Sequence, residues 1–386
     1  MTVDDPFRTE ADTDRRRPAS ACSSPDVLVI GGGQAGLAMG YHLAQTGLRF
    51  QIVDAGDRVG HVWRSRWDSL RLFTPAQYTN LPGLPFPASR DTYPGKDDVA
   101  NYLELYAQQF QLPIQSGASV TSLTNSDGGY TAKVGTATLQ VRQVVVATGP
   151  FQVPFVPPIA KDLSPKVRQL HSAHYQRPQD IPPGKVLVVG AANSGCQIAQ
   201  ELSTTHTVEL ATGQHIPTIP QRPLGRDVWW WASHARLDKI TATSKLGRRL
   251  AGRDQRIGAS PRRLARHHGV RIRPRLTTAA GRTVTFADGV TSEFDAVIWA
   301  TGYSTDHSWI DIPAAKDDHG RLRHTRGLTT SPGLYVLGLT WQHTRGSALL
   351  GWIGADAAYL TQRITAPHRH DQPTSLTVAA RTITTE

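Results

Sequence analysis

Two glycine-rich turns of the same type lie about 160 residues apart. The apolar run Val27-Leu28-Val29-Ile30 enters Gly31-Gly32-Gly33-Gln34-Ala35-Gly36, and Val186-Leu187-Val188-Val189 enters Gly190-Ala191-Ala192-Asn193-Ser194-Gly195. Residues of these types at this spacing can hold a pyrophosphate. A buried strand ends in a tight turn, and the following helix aims its free N-terminal N–H groups at the phosphates. The first glycine permits the turn, the middle position lets backbone approach phosphate, and the third lets helix pack on strand. Ala192 replaces the middle glycine and reduces that approach. One such turn implies one dinucleotide. Two imply electrons passing between dinucleotides, most simply from a nicotinamide to a flavin.

The flanking residues supply the elements that position each turn. Leu37, Ala38, Tyr41 and Ala44 recur at helical spacing up to Gly47. Phe50, Ile52 and Val53 then make a second strand, and Asp54 ends it 23 residues after Gly31, placed for ribose hydroxyls. A helix is expected over 96–110, and alternating segments at 117–124, 129–134 and 138–142 predict a small antiparallel sheet. Val144-Val145-Val146 runs into Ala147-Thr148-Gly149, and Asp295–Ala300 runs into a second Ala300-Thr301-Gly302. The run Gly333–Gly338 and a helix over 347–365 follow. The expected fold is α/β, with two Rossmann-like dinucleotide-binding domains, the second inserted into the first. Residues 25–155 and 300–365 would form the FAD domain. Residues 156–299 would form the NAD(P) domain, with a helical insert at 220–265, and 366–386 a C-terminal tail.

Composition narrows the class. The chain has 386 residues, 39% of them hydrophobic, and no apolar run long enough to cross a bilayer. Residues 1–24 read as a disordered polar tail. The Arg15-Arg16-Arg17 run does not read as an export signal, because the next apolar run is only Val27–Ile30; a cytoplasmic protein is expected. The cysteines are Cys22 and Cys196, without a CxxC pair, which excludes a redox disulfide of the reductase kind and four-cysteine metal sites. No metal site is expected. Much of the net charge of +11 falls between Arg222 and Arg275. No nucleic-acid-binding signature accompanies it, so it reads as a solvated surface with some attraction for phosphorylated cofactors. Trp229-Trp230-Trp231 cannot all face one way on a helix, so at least one should pack inward.

With these residues in view, the chain resembles the class B flavin-dependent monooxygenases, above all the short bacterial flavoproteins of the CzcO type and the plant YUCCA-like enzymes. The resemblance covers nearly all of 25–365. It rests on both turns, both Ala-Thr-Gly segments, and Leu170-His171-Ser172-Ala173-His174-Tyr175. His171 and Tyr175 match the second half of the family pattern F-x-G-x-x-x-H-x-x-x-(F/Y/W); Pro165 and Val167 stand where its Phe and Gly would be. The resemblance implies that NAD(P)H reduces the flavin and that O2 adds at C4a. The (hydro)peroxyflavin then passes one oxygen to a small sulfide, amine or ketone, and the other leaves as water. Tyrosine rather than tryptophan at 175 favours heteroatom oxygenation. The alternative is a flavin reductase or oxidase that passes electrons to another acceptor.

The resemblance also assigns residues. For FAD it implies Gly31, Gly33, Gln34, Ala35 and Gly36 at the pyrophosphate, Asp54 on the ribose, and Trp63, Arg71, Leu72 and Phe73 along the ring. His343 and Ser347 would lie in the loop entering the last helix, whose N-terminus would face the flavin's pyrimidine edge. Ser347 could equally be a plain N-cap. For the nicotinamide it implies Gly190, Ala192, Asn193, Ser194, Gly195, Gln214 and His215. NADPH-selective relatives carry an arginine where Gln214-His215 stand, and Arg222 and Arg226 come only later. Acceptance of both NADH and NADPH is therefore expected. Phe73 occupies the place of an asparagine common in N- and S-oxygenating relatives, while Asn80 belongs to the next turn, so leakage of hydrogen peroxide is expected. His171 is open between a domain-interface hydrogen bonder and a proton shuttle. The partners implied are O2 and a small molecule, with no nucleic acid, no stable membrane insertion, and compatibility with a homodimer.

Overall fold

Aliphatic residues with buried side chains on both faces favour parallel strands covered on both sides, and two such sheets form here. The computed structural model describes residues 24–213, 216–251 and 256–366. In the first sheet, Val27–Ile30 lies between Phe50–Val53 and Gln143–Val146, all parallel, and Ile30 stands beside both Val53 and Val146. Leu334–Val336 and Ile114–Gln115 extend it on either side, and two short strands, Leu328–Thr329 and His324–Thr325, complete one edge. The second sheet orders Arg271–Arg273, Thr207–Ala211, Lys185–Val189, Ala296–Trp299 and Arg168–His171, parallel throughout. All its strands fall in the chain between Gln143–Val146 and Leu334–Val336 of the first. The second unit is thus inserted into the first.

The strand period of two sorts the core. Val27 and Val29 face the helices Gln34–Leu43, Lys96–Gln109 and Leu350–Ile364, packing with Leu37, Tyr102 and Ile353. Leu28 and Ile30 face the other way, onto Leu123 and Tyr130 of the antiparallel sheet 120–141. The second sheet repeats the scheme. Val186 and Val188 meet Ile198, Leu202 and Leu264 on helices, whereas Leu187 and Val297 meet Phe286 of a three-stranded meander over 276–293 and Phe294 just after it. Each fully buried aliphatic side chain contributes about 1.5–3 kcal/mol.

The expected helix at 96–110 is Lys96–Gln109, and the antiparallel strands are Val120–Ser126, Gly129–Val134 and Ala137–Val141. A fourth strand, Ile310–Asp311, joins them in parallel from far along the chain. The insert contains Val228–His234 and Lys245–Ala251, but Pro261–His268 packs through Leu264 as a covering helix of the second sheet. The expected tails fall outside the described residues, apart from 24 and 366. No helix among the described residues is long and apolar enough to cross a membrane.

Candidate functional site

Both glycine turns have nearly one geometry. Gly31 has φ +114°, and a Cβ there would stand 2.5 Å from the Ala147 carbonyl oxygen; Gly190 has φ +103°, and a Cβ would meet the Ala300 oxygen at 2.3 Å. Each first glycine therefore closes against the end of an Ala-Thr-Gly strand, which explains the pairing of these motifs. A Cβ on Gly36 would lie 1.8 Å from the Gly31 oxygen, and one on Gly195 would lie 1.8 Å from the Gly190 oxygen. The middle positions agree as well: Gly33 has φ −76° and ψ −171°, Ala192 φ −77° and ψ −170°. This is extended backbone open to any residue, so Ala192 costs the turn nothing, and the expected penalty concerns only approach to a ligand. A Cβ on Gly33 would meet no protein atom within 4 Å.

The helices that follow are left ready for anions. Neither Gln34–Leu43 nor Asn193–Leu202 has a side-chain cap or an acid in its first turn. By contrast, Lys96–Gln109 is capped through Asp98 and Pro261–His268 through Ser260. Free N–H groups at a helix start, beside space that no side chain fills, suit a pyrophosphate. The residues present therefore fit two dinucleotides.

Asp54 sits where the first turn needs it. Its carboxylate accepts from the Gly32 N–H at 2.5 Å and the Gly56 N–H at 2.7 Å. Gln34 donates to the Ala348 carbonyl at 2.7 Å, tying the turn to the loop before the last helix. In that loop the N-cap is Thr344, not Ser347. Ser347 is fully buried with its Oγ turned back, accepting from His343 N–H and Thr344 N–H at 3.0 Å each, so the helix proper begins only at Leu350. His343 is held below the usual histidine pKa, first by burial and then by Arg326.

The residues expected along the ring do gather at one seam. Trp63 and Leu72 are half-buried and pack against the cores of both units. The backbone of Arg71 accepts from Gln197 Nε2 at 3.1 Å, a bond from the first unit to the helix after the second turn. The Arg71 side chain points to solvent beside Asp98. Phe73 stacks on Trp229 with centroids 6.1 Å apart, and its carbonyl accepts from Trp229 Nε1 at 2.9 Å and Gln221 Nε2 at 3.0 Å. Trp229 is buried and Trp231 exposed, as the triplet required. Asn80 is spent on its own turn, accepting from Phe86 N–H and donating to the Gln77 carbonyl.

His171 bridges to the second Ala-Thr-Gly segment. Its Nδ1 accepts from Ala173 N–H, so Nε2 carries the proton it donates to the Gly302 carbonyl, both at 3.0 Å. Burial keeps its pKa below the usual value despite that bond. Tyr303 meets the ring edge-on at 5.0 Å. Tyr175, fully buried, donates to Glu201 at 2.9 Å.

At the second turn, Asn193 accepts from Ile257 N–H at 3.1 Å, and Cys196 is buried beneath, its thiol pushed up to about 11, chiefly by burial. Gln214 and His215 lie outside the described residues. Arg222 lies 3.6 Å from Asp91, and Arg226 lies over the Trp230 ring. Two residues went unread in the sequence. Arg256 is buried under the second turn, donating to the Ala191 carbonyl at 2.6 Å. Glu209 is wholly buried on its strand, with Lys185 at 2.7 Å and Arg273 at 2.6 Å. No sequence signal marked either. Among the described residues no cluster of three or more metal-ligating side chains occurs.

Two Rossmann-like units joined along a shared seam define a flavin- and nicotinamide-dependent oxidoreductase. Comparison with known proteins agrees. The family described as pyridine nucleotide-disulphide oxidoreductase matches residues 28–224. A CzcO-like oxidoreductase of Geobacillus kaustophilus is 44% identical over 88% of this chain and 98% of its own length. The indole-3-pyruvate monooxygenase YUCCA4 of Oryza sativa is 27% identical over 84% of this chain and 85% of its own. A flavin-containing monooxygenase from Stenotrophomonas maltophilia superposes with a TM-score of 0.75 at 29% identity, covering 89% of this chain and 98% of that one. The chain belongs to the pyridine nucleotide-disulphide oxidoreductase family and, within it, to the flavin monooxygenases. It is an NAD(P)H-dependent flavoprotein.

Proposed function

We propose that the enzyme oxygenates a small organic sulfide, amine or ketone with O2 and NAD(P)H, in the cytoplasm and without a nucleic-acid partner. The observation that carries this reading is the pair of like glycine turns, each closed on an Ala-Thr-Gly strand end, with Trp63 and Leu72 packed between their units. Residues 25–155 with 300–365 hold FAD in this reading, and 156–299 hold the nicotinamide. Bound flavin supplies hydride acceptance and O2 activation. The chain's own residues bind and orient. Gly31–Gly36 and the Gln34–Leu43 helix hold the flavin pyrophosphate, and Asp54 holds the ribose. Gly190–Gly195 do the same for the nicotinamide, while Trp63, Leu72 and Phe73 wall the ring from water. His171 acts by position: its neutral ring fixes Gly302 and so the closing strand of the second unit.

In the sequence Gln214 and His215 come shortly after Thr207–Ala211, the strand whose end would meet the adenosine ribose in this reading, and neither side chain offers the bidentate fork that selects a 2′-phosphate. Use of both NADH and NADPH follows. The test is stoichiometry under isotopically labelled O2. One NAD(P)H and one O2 per oxygenated product, with the label in that product, supports the reading. Anaerobic NAD(P)H oxidation by an artificial acceptor, with no labelled product from a panel of sulfides, amines and ketones, overturns it in favour of a reductase.

A further inference from the structure

Among the described residues, Arg345 is a cation without an anion. It stands in the loop entering the last helix, three residues before Ala348, which bonds Gln34 of the first glycine turn. Its guanidinium lies 5.6 Å from the centre of the Trp229 ring. Among the described residues it makes no ion pair and no hydrogen bond. Several other cations around this seam are answered by acids: Arg222 by Asp91 at 3.6 Å, Arg326 by Asp356 at 3.6 Å, Arg64 by Glu104 at 2.7 Å and Lys96 by Asp68 at 2.7 Å. Burial alone lowers the Arg345 pKa, and no carboxylate opposes the shift. A desolvated, unpaired guanidinium is costly to keep.

The surroundings say what kind of molecule would repay it. Trp229 meets Trp352 at 4.8 Å and Phe73 at 6.1 Å, and Trp352 stacks on Tyr78 at 6.3 Å. The Trp229 indole N–H is already spent on the Phe73 carbonyl. Ring faces and one guanidinium therefore meet in a single place. Aromatic faces accept a flat apolar body, and a guanidinium fork accepts a carboxylate at two points.

We propose that Arg345 receives the carboxylate of a substrate whose aromatic or apolar body lies against the half-buried Trp352, beside the packed Trp229. The inference rests on the monooxygenase reading above and narrows its substrate to an organic acid. The same guanidinium could instead meet a phosphate of the nicotinamide nucleotide, and the experiment separates these sources.

The FAD-loaded enzyme is titrated with para-(methylthio)benzoate and with its neutral counterpart, methyl phenyl sulfide, following the flavin absorbance. The acid should bind about tenfold or more tightly than the neutral sulfide. Arg345→Met should erase that preference, Arg345→Lys should keep part of it, and the melting temperatures of both should show the fold intact. Equal binding of the two probes by the wild type overturns the proposal. So does Arg345→Met raising the KM for NADPH about tenfold while the preference for the acid stays. Because binding is read without turnover, failure of the monooxygenase reading shows separately, as absence of labelled sulfoxide from either probe.

Discussion

The two dinucleotide units share a backbone and differ in what their acids do. Gly31, Gly33 and Gly36 repeat in Gly190, Ala192 and Gly195 to within about ten degrees and a few tenths of an ångström. Behind the first turn stands Asp54, whose carboxylate is bound, among the described residues, only to the backbone N–H groups of Gly32 and Gly56, with lone pairs left for a ligand. Behind the second stands Glu209, earlier on its strand, wholly buried and committed to Lys185 and Arg273. Steric rules fix the turn, so they recur. The acid's task depends on its register along the strand, and there the units have diverged.

The largest effect should come from testing the shared part. In both Gly36→Val and Gly195→Val the new Cβ starts 1.8 Å from a carbonyl oxygen, which the helix–strand contact cannot absorb. Gly36→Val should yield protein without flavin, measured by the ratio of absorbance at the flavin band to that of protein. Gly195→Val should stay yellow, because the clash lies in the inserted unit, yet lose reduction by NADPH. If both variants lose flavin equally, the two units do not act separately and the comparison fails.

Next comes the buried acid. Burial alone would raise the Glu209 pKa, but hydrogen bonds and charges from Arg273 and Lys185 outweigh it, and the net shift is downward. A depressed carboxylate pKa contributes stability that is present above the ordinary value and lost as pH falls through the folded one. Glu209→Gln leaves Lys185 and Arg273, with Arg271 at 4.0 Å, facing a neutral buried amide and should cost about 3 kcal/mol at neutral pH. In the wild type, the acid limb of a urea-denaturation series should fall steeply below the ordinary glutamate range, and in the variant that part of the slope should vanish. An unchanged slope would assign Glu209 no role in the fold.

Asp54→Asn should act on affinity instead. Losing charge-assisted bonds to the ribose and to the turn, each about 1.5–3 kcal/mol, should weaken FAD binding about 10–100-fold in a reconstitution titration, with a smaller loss of melting temperature for the apoprotein. Equal losses in both would mean that Asp54 serves only the turn.

These contrasts mark how far the sequence could be read. The strands and turns were legible because the cause is local: a β-branched run, then glycines forced by clashes with the neighbouring strand. Lys96–Gln109 was legible for the same reason, with Asp97 and Asp98 in its first turn. What escaped depends on distant partners. Ile310–Asp311 is too short to announce itself and is defined by pairing with Leu123 and Thr124. Glu209 looks like any acid in an alternating strand until Arg273, 64 residues on, folds over it. The insert's grip on the first unit, through Asp227 to Tyr93 at 2.6 Å and Trp229 to Phe73, likewise spans more than 130 residues. Tyr93 is pushed up to about 12, chiefly by burial and by that carboxylate. Thr344 rather than Ser347 caps the loop because two backbone N–H groups compete for the serine oxygen, which sequence spacing does not reveal.

The smallest effect should come from the middle position, where the units differ most visibly in sequence. Ala192 and Gly33 share an extended backbone conformation, so Ala192→Gly relieves no strain, and a change of about twofold or less in the KM for NADPH is expected. Gly33→Ala is the informative partner. Its new methyl would meet no protein atom within 4 Å, so the apoprotein should melt like the wild type, or slightly higher because alanine restricts the unfolded chain. Any loss of FAD affinity in Gly33→Ala then measures contact between that methyl and the cofactor alone. A clear loss there, against near-silence at position 192, would mean that the first turn approaches its phosphates more closely than the second. Matching responses at both positions would make Ala192 a neutral replacement and leave the acids as the main distinction between the two sites.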